Sequence, residues 1–480
     1  MKKLISVLLS LLLLVALCAC EDVQIGASST TASSSQTTAA SAPAAATTIE
    51  NKEAGEISLN GSSASSQAGG VTVSGSVVTI SSPGDYILTG TLDNGQIVVD
   101  TGEVKGDVKL TLNGVNITNP EGNAIDIRQA KNTTICLAAG TVNTVTSGAG
   151  SEVSPAADTA SGAAIFSADD LKFTGEGNLT VTGFINNGIT CKDDIVIKGG
   201  AITVEAANNG IRANESVTIH DGDISVTACN DGIKATSSKK EGKGFVLIDG
   251  GIVTVNSVGD GISAVTDLTI DGGNILVVTT GNTDQISSKA LKATSSVNIN
   301  GGELSLTATG KAISSHGDIC INSGLLQIDS EDDGIATDTL ITVNGGELTI
   351  RSGNDGFKAG AKGGTTGKVQ ISGGTLHIHA LGDPVDAKGE FLLSGGSVFA
   401  FGNAGSVKKL SSDSQAVIVS AYGSQIAKGT SASITLSDGT VYSESSQVGF
   451  RLVLLSDGSF QKGDSAAVQV GSSNTTVSAK

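Results

Sequence analysis

The feature that most constrains this chain is a phrase it keeps rewriting. Asn230-Asp231-Gly232-Ile233-Lys234-Ala235 returns as Gly259-Asp260-Gly261-Ile262-Ser263-Ala264. With the aliphatic residue as a marker, the phrase recurs at Ile189, Ile211, Ile233, Ile262, Leu291, Ile313, Ile335, Phe357 and Val385, in steps of 22 or 28–29 residues. A second marker is the last glycine of phrases such as "VIKGG" and "NINGG". It falls at Gly200, Gly222, Gly251, Gly273, Gly302, Gly324, Gly346, Gly374 and Gly396. A unit of fixed length with occasional polar inserts is the signature of a solenoid, in which each repeat packs only on its neighbours.

The segments around each double glycine, "AITVEA", "DISVTA", "ELSLTA" and "TLHIHA", alternate apolar and polar residues. That is the period of a strand with one face inward and one wet. Leucine-rich horseshoes share the 22-residue period, but their fixed leucine positions are missing. The expected fold is therefore all-β: a single-stranded, right-handed parallel β-helix with about 22 residues per coil and a β-rich C-terminal cap. Ile125 and Ile165 extend the register upstream in weaker form. The strands "AVIVSAYGS", "SASITLSDGTVYS" and "FRLVLLS" are expected to close the far end, because an open last coil exposes unpaired backbone groups.

Four spans follow. Residues 1–20 begin with Met1-Lys2-Lys3 and an apolar run, then end in Leu17-Cys18-Ala19-Cys20. This reads as a secretory leader ending in a segment that resembles a lipobox, so Cys20 is expected to be lipidated and to anchor the chain to the extracytoplasmic side of the cell membrane. Residues 21–66 are rich in Ser, Thr and Ala without periodicity and are expected to be a tether. Residues 67–400 hold the coils and residues 401–480 the cap. The net charge of −18 excludes nucleic acid as the main partner. Cys136, Cys191, Cys229 and Cys320 are widely spaced in apolar strands, so they are expected as small hydrophobes, not as disulfides or metal ligands.

Chemistry concentrates on one corner. The residue two before the marker reads Asn187, Asn209, Asp231, Asp260, Lys289, Lys311, Asp333, Asp355 and Asp383 along the chain. The glycine after it is expected to supply a positive φ. Stacked coils bring equivalent residues within about 5 Å, where like charges repel. Calcium, an oxygen-seeking cation, would relieve this at Asp333, Asp355, Asp383 and Asp386, with Asp332 as a further ligand and Asp231 with Asp260 as a second position. Lys289 and Lys311 are expected to neutralise Asp260 and Asp333 across coils. The residue one after the marker gives Arg212, Lys234, Lys292 and Lys358, a basic strip suited to a polyanionic sugar. His377 and His379 are expected to face solvent.

Phrases such as "GTLDNGQIVVD", "KLTLNGVNITN" and "GAAIFSADDLKFTGEGNLTVTG" are longer than a generic coil dictates. The chain after the tether resembles a bacterial family of lipid-anchored carbohydrate-binding β-helix proteins. That resemblance implies a monomer that binds plant-type polysaccharide, acidic or cellulosic, and holds calcium, without catalysis. The coils around Asn354-Asp355-Gly356-Phe357 and Gly382-Asp383-Pro384-Val385-Asp386 also resemble the calcium corner of one pectate-lyase family. Asp355, Asp383 and Asp386 match, while Gly382 and Pro384 depart from it. A calcium-dependent β-elimination lyase is the alternative the resemblance implies; a structural surface adhesin is the third class. A lyase needs a base, and Lys388, Lys408 and Lys409 lie in no recognisable catalytic context.

Overall fold

The double-glycine turns decide how the chain bends. Gly302 has φ +91°, and a Cβ there would sit 2.9 Å from the carbonyl oxygen of Gly273 one coil earlier. Only glycine meets both conditions without strain. The whole row from Gly200 to Gly396 shares the positive φ. The glycines before the markers do not, which corrects the expectation for the corner. Gly188 is required there for space, since a Cβ would run into the Val204 side chain.

The structure, a computed structural model, describes residues 54–104, 106–150, 162–281, 287–360 and 366–480. The expected secretory leader, Cys20 and most of the expected tether lie outside these residues. The stretch read as tether already contains structure at its end. The strand Gly55–Gly61 pairs antiparallel with Ala64–Ser66 and parallel with Gly84–Leu92. Its Ile57 and Leu59 are buried, and this short hairpin is too polar elsewhere to be recognised by composition.

From there the described residues are all-β, apart from one short 3-10 turn at Ser406–Lys409. Each coil gives one strand to a 14-stranded sheet and two to a 26-stranded sheet that bends at the double glycines. The marker residues stack in parallel register: Ile189 on Ile211, Ile211 on Ile233, Ile233 on Ile262, and onward to Phe357 on Val385. Ile125 and Ile165 join the same ladder. All of these are buried. Facing ladders complete the interior, for example Leu304, Leu326, Leu348 and Leu376. Each fully buried aliphatic side chain contributes roughly 1.5–3 kcal/mol relative to exposure.

The coils end where pairing changes sense. Ser397–Gly402 is the last parallel strand, and Phe450–Ser456 pairs with it antiparallel. A four-stranded antiparallel sheet follows, ordered Val441–Ser445, Ser431–Leu436, Ser465–Val470 and Ser473–Ser478. Its own core includes Phe401, Ile434, Phe450 and Val468. The edge of the last coil is thereby covered.

The cap also covers the two histidines. His377 Nδ1 lies 2.9 Å from Glu444 Oε2, and His379 Nε2 lies 2.8 Å from Glu444 Oε1. His379 is 0% exposed and stacks on Phe401 with ring centroids 5.3 Å apart. The strand alternation correctly turns both histidines away from the coil interior, but a strand 65 residues later closes over them. The expectation of solvent-facing histidines is overturned at His379, while His377 keeps 38% of its side chain exposed.

Candidate functional site along the corner column

The corner residues are placed by the marker ladder. Because the aliphatic marker points inward, the residue after it points outward, and the residue two before it closes the turn. The outward row runs Thr190, Arg212, Lys234, Ser263, Lys292, Ser314, Ala336, Lys358 and Asp386, each in parallel register with the next.

The column beside it has a repeated structural task. A side-chain oxygen on one coil accepts the backbone N–H of the equivalent residue on the next. Asn187 Oδ1 accepts from Asn209 N at 3.0 Å, Asp231 Oδ1 from Asp260 N at 2.7 Å, and Asp260 Oδ1 from Lys289 N at 3.0 Å. Asp333, Asp355 and Asp383 do the same for Asp355 N, Asp383 N and Gly405 N at 3.3, 2.9 and 2.9 Å. A buried backbone donor left without an acceptor costs about 1–3 kcal/mol, which explains why the position is Asn or Asp so often.

An aspartate doing this work has a second oxygen and a negative charge to settle. Lys234 donates to Asp231 at 2.8 Å and Lys292 to Asp260 at 2.7 Å. Lys311 pairs with Asp333 and, at 3.1 Å, with Asp332. Lys358 bridges Asp333 and Asp355 at 3.4 and 3.1 Å. The expected pairing of Lys311 with Asp333 is therefore present. Lys289 differs: its ammonium donates to Ser287 at 2.7 Å, while Lys292 takes Asp260. Burial holds the Lys289 ammonium below the usual lysine range. Burial also pushes Asp260 up, but Lys292, Ser287 and the Lys289 N–H outweigh it and hold the carboxyl below its ordinary range.

Upstream, the column is amide instead of acid. Asn208 Nδ2 donates to Asn186 Oδ1 at 2.8 Å, Asn209 Nδ2 to Asn187 Oδ1 at 3.0 Å, and Asn230 Nδ2 to Asn208 Oδ1 at 3.0 Å. Arg212 sits beside this neutral stretch. Its Nε is buried with no hydrogen-bond partner, and among the described residues it has no ion pair.

The far end of the column lacks a lysine partner for its carboxylate. Asp383 accepts from Gly405 N, yet burial, first among its influences, pushes its carboxyl above the ordinary range, and the nearby Asp355 and Asp386 charges add to this. Asp386 pairs with Lys388 at 3.1 Å. Asp383 and Asp386 line a cavity of about 310 Å³ together with Lys388, Lys408 and Lys409.

Calcium takes six to eight oxygen ligands at about 2.3–2.6 Å. At Asp231, Asp260, Asp333 and Asp355 both carboxylate oxygens already accept from N–H or ammonium groups, and Asp332 shares Lys311. That donor set does not fit a cation without displacing lysines. Asp383 makes no ion pair among the described residues, so it and Asp386 are the carboxylates of the column most open to a cation, although Asp386 pairs with Lys388 and three lysines line the cavity. Among the described residues, no group of three or more His, Cys, Asp or Glu side chains is arranged to hold a metal ion.

Sequence reasoning missed Glu444, which no local motif marks, and the backbone-capping role of the column. The second could have been inferred, since Asn and Asp share one acceptor oxygen and alternate at this position. The cysteines are unpaired among the described residues, and Cys191 is buried, which pushes its thiol up to about 12.

Three comparisons bear on this arrangement. A family model described as "Carbohydrate-binding domain-containing protein" matches residues 74–329 and 306–467. A protein of the same description from Acetivibrio thermocellus is 42% identical over 137 residues, which make up 28% of this chain and 48% of that protein; the chain thus spans about half of that relative's length. Among solved structures, the polysaccharide lyase-like protein from C. thermocellum, as a gadolinium derivative, is 37% identical. The match covers 51% of this chain and 96% of that one, with a TM-score of 0.47.

Proposed function

This chain belongs to the family of carbohydrate-binding domain-containing proteins, and on that premise we propose that it binds polysaccharide along the outside of a right-handed, single-stranded parallel β-helix. In this reading the chain is a monomer, anchored by lipid at Cys20 on the extracytoplasmic side of the membrane. The ligand is an acidic plant-type chain, with cellulosic chains as the neutral counterpart. The observation that carries the reading is the outward row from Thr190 to Asp386, a file in register that presents Arg212, Lys234, Lys292, Ser314, Lys358 and Asp386 at the surface and is interrupted by the buried Thr190, Ser263 and Ala336. A linear polymer can lie along such a file and repeat its contacts coil by coil.

Within that row the cations differ in availability. Lys234, Lys292 and Lys358 are tied to corner carboxylates, so they supply hydrogen bonds more than net positive charge. Arg212 retains its charge and suits a sugar carboxylate, since a guanidinium can donate two parallel hydrogen bonds. Calcium, in this proposal, is held by Asp383 and Asp386, where it would bridge the protein to an acidic sugar. The other aspartates of the column are capping and pairing residues.

Retention on immobilised pectate and on cellulose, with calcium and with chelator, tests this. Pectate retention in calcium and its loss in chelator are expected; no retention on either support in any condition would sink the carbohydrate reading. Calcium should raise the thermal midpoint of the wild-type chain and of Asp333→Asn, but not of Asp383→Ala. A calcium response surviving in Asp383→Ala removes the metal from this corner. A second reading, β-elimination of pectate, is favoured by one observation, the three lysines around Asp383 and Asp386. Ultraviolet-absorbing unsaturated product released from pectate would establish it.

A further inference from the structure

Between Ile233 and Gly251 the chain carries more residues than a coil needs, and the structure fastens them down. Lys240 pairs with Glu215, and Lys243 bridges Asp194 and Glu215, the latter at 3.2 Å. Thr266 Oγ1 donates to the Lys243 carbonyl at 2.9 Å, and Thr266 N donates to the Gly244 carbonyl at 3.0 Å. An insert held by ion pairs to earlier coils and by hydrogen bonds to the next is part of the folded body. It forms one wall of a cavity of about 300 Å³ on the sheet next to the corner, a volume at the low end of small-ligand sites.

The lining of that cavity has two kinds of surface. Phe245 and Leu247 are half-buried and give it an apolar side. Leu247 sits in an outward row between Thr218 and Thr269, where neighbours are hydroxyl-bearing. Asp267, Thr269 and Ser295 give the polar side. Asp267 accepts from Ser296 Oγ at 2.7 Å and has no other side-chain hydrogen bond among the described residues. The one cation in the lining, Lys243, is neutralised by two carboxylates. An anionic ligand would therefore meet Asp267 with no compensating charge.

A pyranose ring matches this combination. Its C–H face packs on an aromatic ring and a leucine, and its hydroxyls donate to a carboxylate or exchange hydrogen bonds with threonine and serine. We propose that this cavity binds one neutral pyranose unit of a polysaccharide, at a site separate from the corner column. The inference rests on the carbohydrate-binding reading above and adds an aromatic contact that the scarcity of Trp and Tyr conceals.

Titration calorimetry of the full chain tests it, using a neutral β-1,4-glucan hexaose and, separately, a pectate hexamer in calcium. The glucan should bind, and Phe245→Ala should weaken it by about tenfold or more without changing pectate binding. Phe245→Tyr should restore it, and Asp267→Asn should weaken it several-fold at an unchanged thermal midpoint. Glucan binding unaltered in both Phe245→Ala and Asp267→Asn overturns the site. Wild-type binding of pectate but not glucan overturns the site and leaves the corner reading standing. Binding of neither sugar overturns the carbohydrate reading, and this site with it.

Discussion

Asp260 and Asp383 occupy the same place in their coils and meet opposite surroundings. Each accepts the backbone N–H of the following coil through Oδ1, at 3.0 and 2.9 Å. Asp260 also receives Lys292 at 2.7 Å and Ser287 at 2.6 Å, and its carboxyl is held below the usual range. Asp383 is raised by burial and by the charges of Asp355 and Asp386, with the Gly405 N–H and the Lys408 charge opposing them. The column thus carries two separable functions. Capping a backbone donor needs only an acceptor oxygen, which Asn187 supplies without charge. Carrying a negative charge in that position needs a partner, and most coils provide a lysine.

Removing the acceptor and the charge together should have the largest effect where both are fully enclosed. Asp333 is 0% exposed, accepts from Asn354 Nδ2 at 2.7 Å and from Asp355 N, and pairs with Lys311 and Lys358. Asp333→Ala should cost about 3–5 kcal/mol, because two ammonium groups and two donors lose a shared partner. Urea unfolding measures it, and a loss under 1 kcal/mol would mean the column is decorative. Asp260→Asn keeps an acceptor but removes the ion pair with Lys292, so a smaller loss of about 1–3 kcal/mol is expected.

The period, the marker ladder and the column were legible because they depend on spacing alone. A residue that must stack on its own kind every coil leaves a repeat, and Ile211 on Ile233 is as plain in sequence as in space. What stayed hidden depends on which atom of a side chain is used, or on distant chain. Asp-Gly suggested a positive φ at the corner, yet the positive φ lies at the double glycines, where the carbonyl of the previous coil also crowds the turn. Repulsion between stacked aspartates suggested calcium along the column, because the lysines that answer it come from different coil positions: Lys311 from the column itself and Lys292 and Lys358 from the outward row. Arg212 was grouped with those lysines, but the asparagines beside it leave it without their kind of partner.

The cap offers a third way to settle a buried carboxylate, with a partner that can lose its charge. Burial pushes Glu444 up, but hydrogen bonds from His377 and His379 outweigh it and hold it at about 2. His377 is raised by its hydrogen bond to Glu444, with burial opposing and the Glu444 and Glu347 charges assisting. A depressed carboxyl stabilises the fold above its unfolded range, and this stabilisation is lost as pH falls through about 2. A raised histidine stabilises below its unfolded value of 6.5 and loses that contribution as pH rises through its folded value. The cap should therefore hold best between the ordinary carboxylate and histidine ranges and loosen above the latter, while lysine-paired corners stay unchanged there. Hydrogen exchange in Phe450–Ser456 at pH 5.5 and 8.5 reads this. Glu444→Gln should cost about 1–2 kcal/mol and flatten the difference; an equal pH response in that variant would exclude the histidine clamp as its source.

The smallest expected effect is also the one of opposite sign. Asp383→Asn keeps Oδ1 to accept from Gly405 N and removes a charge that faces Asp355 and Asp386. In chelator it should leave stability unchanged or raise it by up to about 1 kcal/mol, since like charges near a protein surface repel by this order. The same change at Asp260 should destabilise, so the pair of variants reads the lysine directly. In calcium the order should invert at Asp383, because an amide is a weaker ligand than a carboxylate and the ion would no longer offset the remaining charges. If Asp383→Asn destabilises in chelator as much as Asp260→Asn does, Lys408 is already the partner of Asp383, the two corners are electrostatically alike, and the reason to place a cation at this end of the column disappears.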